Sequence, residues 1–131
     1  MEIETNPEGG TKRHRVLVAD DEEAIRLLVV RVLRRAGFDA VEATDGQHAI
    51  EQLDAQRFDA LVLDLMMPRV DGFGVVNHLI DTQPRMIEKT VVITAFPQKA
   101  ARERLHHLCG ILSKPFETSE LVQLVAERGR L

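Results

Sequence analysis

Asp59-Ala60-Leu61-Val62-Leu63-Asp64-Leu65-Met66-Met67-Pro68 is the stretch on which the fold of this chain turns. Ala60 to Leu63 is an unbroken apolar run, as a strand covered on both faces requires. One acid, Asp64, follows it directly. Burying that charge would be costly, and a turn that needed only polarity could use Ser or Asn. Pro68 removes a donor and stops the ladder, so the chain turns away after Met67. Asp64 is then left at the carboxyl edge of its strand, where open α/β sheets bind and react with ligands.

Working outward toward the N-terminus, Arg15 to Ala19 reads as a first strand, followed at once by Asp20-Asp21-Glu22-Glu23. Helix capping explains Glu22 and Glu23. It does not explain Asp20, which ends its strand as Asp64 does. A helix is expected from Glu22 to Ala36, with Ile25, Leu28, Val29, Val32, Leu33 and Ala36 on one face and Gly37 as its stop. Leu27 and Val30 fall outside that stripe and are expected to form part of a docking patch. Asp39 to Ala43 is a second strand, and Thr44 or Asp45 caps a helix running to about Gln56.

Toward the C-terminus, Asp71-Gly72 marks a turn before a helix from Phe73 to about Thr82, closed by Gln83-Pro84. Thr90 to Ile93 is a fourth strand, with Thr94 at its end. Ala95-Phe96-Pro97 leads into a basic helix from Gln98 to about Leu108. Ile111 to Ser113 is a fifth strand, followed by Lys114-Pro115. The Glu117–Glu120 segment opens a last helix. Strands alternating with helices argue for a doubly wound α/β fold: a five-stranded parallel sheet with five helices on its two faces. Residues 1–14 read as a disordered polar tail and residues 15–131 as one domain.

The bulk properties narrow the function. A chain of 131 residues has room for one real core. Its net charge of −4 argues against a nucleic-acid surface. The single cysteine, Cys109, excludes an internal disulfide and fits a reducing compartment. No apolar run reaches the length of a membrane span, so a cytoplasmic protein is expected.

In a parallel sheet every strand's carboxyl end lies on one edge. Asp20 and Asp21, Asp64, Thr94 and Lys114 therefore converge there. Three neighbouring acids repel unless a cation sits among them. Oxygen-only ligation favours Mg²⁺, which leaves coordination positions for phosphoryl oxygens. Lys114 adds a positive charge and Thr94 a hydroxyl donor for a transferring phosphoryl group. Asp64 is the candidate nucleophile, to become an aspartyl phosphate. Asp20 and Asp21 are the candidate metal holders. Phosphate binding of the glycine-loop kind does not fit, because acids stand where such loops need glycines.

Asp20-Asp21, Asp64-Leu65-Met66-Met67-Pro68 with Asp71-Gly72, Thr94-Ala95 and Lys114-Pro115-Phe116 together resemble the receiver domain of two-component response regulators, from about Arg15 to the C-terminus. The resemblance implies a flavodoxin-like sheet of order 2-1-3-4-5. It implies that Asp64 accepts a phosphoryl group from a phosphohistidine donor, either a sensor histidine kinase or a histidine phosphotransfer protein. Asp21 would ligate Mg²⁺ directly, Asp20 largely through water, and the Met66 carbonyl would be a further ligand. Thr94 would move toward the phosphoryl group, Lys114 would pair with it, and the Lys114–Pro115 bond would be cis.

Three features depart from the family pattern. Ile111 stands where receivers carry Tyr or Phe, the segment from Thr94 to Lys114 is about two residues short, and Glu117 replaces the usual Asp-like cap. Met66 and Phe96, bulky and apolar, are expected to border the phosphoryl group and slow attack by water. The expected activity is that of a switch. It signals by binding a downstream protein or relaying phosphate, with no direct DNA binding, no membrane association and no catalysis beyond its own phosphotransfer and dephosphorylation. The alternatives are an Mg²⁺-dependent phosphohydrolase with an aspartyl intermediate and a receiver-like binding module that is never phosphorylated.

Overall fold

A computed structural model describes residues 13–67, 69–95, 103, 105 and 108–131. The elements run β1 (Arg15–Ala19), α1 (Glu23–Arg35), β2 (Asp39–Ala43), α2 (Gly46–Ala55), β3 (Ala60–Asp64), α3 (Gly72–Thr82), α4 (Pro84–Glu88), β4 (Thr90–Thr94), β5 (Gly110–Ser113) and α5 (Thr118–Gly129). The sheet is parallel throughout and ordered β2-β1-β3-β4-β5. Residues 1–12 of the expected tail, Phe96, and most of the helix expected over 98–108 lie outside the described residues. Within that span Glu103 and Leu105 are helical.

The two-residue period of the strands builds two cores. Leu17, Leu61, Leu63 and Val92 face one side, with Ala49 and Leu53 of α2 and Val75 and Leu79 of α3. Val16, Val18, Val62 and Ile93 face the other, with Val29 and Leu33 of α1 and Leu121 and Val125 of α5. All five residues of β3 are buried, and so are all five of β4. These two strands are covered on both faces, as unbroken apolar runs demand.

The structure corrects the expected faces of α1. Val30 is buried in the second core, whereas Leu28 is exposed beside Leu27. The inward stripe of α1 is Arg26, Val29, Val30 and Leu33. Its centre lies about a quarter turn from the expected one, with Arg26 at the inward position seven residues before Leu33. The short helix α4 was not expected. Pro84 occupies its first turn, where the missing N–H costs nothing, so the proline that ends α3 also starts the next helix. At α2 the cap is Asp45 rather than Thr44, its side chain accepting from the His48 N–H. Glu117 makes no side-chain cap for α5.

Candidate functional site

The site is assembled from strand ends. Asp20 follows the last residue of β1, Asp64 and Thr94 end β3 and β4, and Lys114 follows β5. Backbone bonds hold the ends level: Asp20 N–H to Ala43 O (3.1 Å), Leu65 N–H to Ile93 O (3.2 Å) and Lys114 N–H to Thr94 O (2.9 Å). One carboxylate oxygen from each of Asp20, Asp21 and Asp64 lies within 4.8 Å of the others. Asp20 and Asp64 are 3% and 5% exposed, and Asp21 is open to solvent. Lys114 Nζ stands 3.9 Å from Asp20 Oδ2 and 3.9 Å from Asp64 Oδ2. Thr94 is buried at the same edge. The Lys114–Pro115 peptide bond is cis. Asp21, Glu22, Asp64, Met66, Ala95 and Lys114 line an open pocket above the cluster.

Local turns aim the acids. Asp20 Oδ1 accepts the Glu22 N–H at 2.9 Å, and Asp64 Oδ1 accepts the Met66 N–H at 3.1 Å. Each is a short polar side chain bonding the backbone two residues on, which closes the turn and fixes the carboxylate. The Met66 side chain itself is 71% exposed at the pocket rim.

Burial pushes the Asp20 carboxyl up to about 7, and the neighbouring Asp64 adds to the rise. The Glu22 N–H and Lys114 offset part of it. Taking a carboxylate out of water disfavours its charged form, and a second acid nearby does the same. Such a cluster favours any cation that can replace the lost hydration. Its donors are all oxygens, which suits a hard divalent ion with several open positions, as Mg²⁺ requires.

Two residues of the site were not singled out from the sequence. Glu22, read there as a helix cap, reaches to 3.8 Å from Lys114 Nζ. The Arg26 side chain is buried, donating from Nη1 to the Asp20 carbonyl (3.0 Å) and from Nε to Glu42 Oε1 (2.9 Å). It ties the turn after β1 to β2 and α1. The clue was available: seven residues before Leu33, position 26 continues the inward stripe, so a charge there must find partners. Cys109 is buried, and burial pushes its thiol up to about 11, so it is inert at neutral pH.

A family model described as the response regulator receiver domain matches residues 16–126. The transcriptional regulatory protein PdtaR of Mycobacterium tuberculosis is 36% identical over 114 residues, covering 85% of this chain and 54% of that protein. A protein-glutamate methylesterase/protein-glutamine glutaminase of Anaeromyxobacter dehalogenans is 39% identical over 127 residues, covering 94% of this chain and 35% of that protein. The chain thus spans about half, or less, of the length of these relatives. Among solved structures, the response regulator TrrA of Thermotoga maritima, in complex with Mg²⁺-BeF, superposes with a TM-score of 0.79 at 25% identity, covering 88% of this chain and 98% of that one.

Proposed function

This chain belongs to the response regulator receiver domain family, and we propose on that premise that it is a phosphorylation-activated switch whose phosphoacceptor is Asp64. The observation that carries the reading is the meeting of Asp20, Asp21 and Asp64 within 4.8 Å, with Lys114 Nζ 3.9 Å from Asp64. Asp20, Asp21, Asp64 and the Met66 carbonyl are the groups that would hold Mg²⁺. When bound, that ion neutralises charge on the phosphoryl oxygens.

In the transfer step a carboxylate oxygen of Asp64 forms a bond to phosphorus as the bond from phosphorus to the donor's imidazole nitrogen breaks. The imidazole leaves with the electron pair and gains a proton from solvent. Lys114 pairs with the phosphoryl oxygens, and the Thr94 hydroxyl donates to them. The donor is a phosphohistidine on a sensor kinase or phosphotransfer protein, docking over the exposed pair Leu27 and Leu28 on α1. The phosphorylated form then binds a downstream protein or passes the phosphoryl group on. A reducing, cytoplasmic setting suits the buried thiol of Cys109.

Labelling with acetyl phosphate tests this directly. The parent should take up one phosphoryl group per chain in an Mg²⁺-dependent manner, and Asp64→Ala should take up none. Equal labelling of the two would reject Asp64, and multiple turnover of a simple phosphate ester would favour a phosphohydrolase. Met66, exposed at the rim of the pocket, would shield the phosphorylated form from water. Met66→Asn, which can orient a water, should shorten its lifetime by a few fold, and an unchanged dephosphorylation rate would remove that role.

A further inference from the structure

The connection from β3 to α3 begins at Asp64, carries Met66 and is gripped at several points. Its exit lies against its entry: the Gly72 N–H donates to Leu65 O at 3.0 Å. Farther along, the Val70 carbonyl rests on the first turn of α2. A Cβ at Gly46 would fall 1.6 Å from that oxygen. Between these contacts Arg69 adopts φ 64°, a left-handed conformation that costs any residue with a Cβ. Its guanidinium Nη2 donates to Oδ2 of Asp45. Asp45 is 7% exposed, and its Oδ1 accepts the His48 N–H at 2.8 Å.

We infer that Asp45 and Arg69 form a positioning pair, which holds the Asp64–Met66 segment in the geometry the metal and the phosphoryl group need. Neither residue touches the reacting atoms. A buried carboxylate needs a partner. Here, besides the His48 N–H, the partner is Arg69, the one described residue of the connection with a left-handed backbone. The ion pair keeps it there, and the connection between Asp64 and α3 is thereby fixed to the N-terminus of α2. The inference rests on the proposed Mg²⁺ and phosphoryl chemistry, and it adds residues 45 and 69 to the groups that serve it.

Two variants separate positioning from simple stability. Arg69→Gly admits the left-handed backbone without steric strain and removes the side chain, and adding Asp45→Asn in that background controls for the backbone freedom that glycine brings. Asp45→Asn keeps a helix-capping oxygen and removes only the charge. Mg²⁺ binding is measured by calorimetry, and exchange of the Gly72 amide by NMR in metal-free protein. Each variant should weaken Mg²⁺ binding roughly threefold to tenfold, at or below the loss seen when a group behind a metal ligand is removed. Each should also speed exchange at Gly72, and the double variant should be no worse than either single one. Unchanged Mg²⁺ affinity in Arg69→Gly, or losses that simply add in the double variant, would overturn the inference. A parent that binds no Mg²⁺ would instead overturn the proposed function, and exchange at Gly72 would still decide whether the pair grips the connection.

Discussion

Asp20 shows how far a single side chain can set the behaviour of the site. Its carboxyl is pushed up to about 7 by burial, then by Asp64, against an ordinary value of 3.8 in an unfolded chain. The folded state therefore holds this proton more tightly than the unfolded state does. The associated stability is fully present below about pH 4 and is lost as pH rises through about 7. Metal-free protein should accordingly unfold more easily at pH 7.5 than at pH 5, by an amount on the order of a few kcal/mol. Asp20→Asn, which cannot ionise, should flatten that slope and be the more stable protein at pH 7.5. Urea unfolding in a chelator across this range is the measurement, and a slope unaltered by the substitution would exclude Asp20 as its source.

At the scale of elements, close approach of backbone decides what propensity does not. Gly46 opens α2, where alanine would favour the helix by about 1 kcal/mol over glycine. The Val70 carbonyl occupies the space that an alanine Cβ needs, with 1.6 Å between them. Either α2 or the β3–α3 connection must shift, and forcing a group into filled space costs typically 1–3 kcal/mol or more. The clash outweighs the propensity, so Gly46→Ala should lower stability by about 2 kcal/mol. A fall in the denaturant midpoint checks the sign, and a rise would show that the contact yields cheaply. Arg26 makes a related point for α1, since it takes an inward position among Val29, Val30 and Leu33 and is satisfied there by Glu42 and the Asp20 carbonyl.

For the whole molecule, the parallel topology gathers acids that the chain keeps 44 residues apart (Asp20 and Asp64) onto one edge. Their mutual repulsion is a cost of folding that a bound cation removes. Mg²⁺ at about a hundred times its dissociation constant should stabilise the fold by about 2.7 kcal/mol through mass action. In a domain of this size that corresponds to a rise in Tm of roughly 5–10 °C. Thermal unfolding with and without Mg²⁺ measures it. The rise should nearly vanish in Asp64→Ala, and an equal rise there would place the bound ion elsewhere.

The sequence by itself determined the strands, their order of appearance and the residues at their ends. Apolar runs such as Ala60–Leu63 and Thr90–Ile93 are local patterns, and an acid directly after such a run needs no partner to be visible. It determined the sheet order only by resemblance, since alternation of strands and helices does not say which strands are neighbours. The contacts behind the site were decided by tertiary structure alone. Arg26 reaching the Asp20 carbonyl, Glu22 approaching Lys114, and Asp45 bonding Arg69 join residues whose proximity depends on how helices pack and turns close. Periodicity records which face of an element is apolar. It does not record where a long charged side chain ends, because that end is placed by partners the rest of the fold supplies.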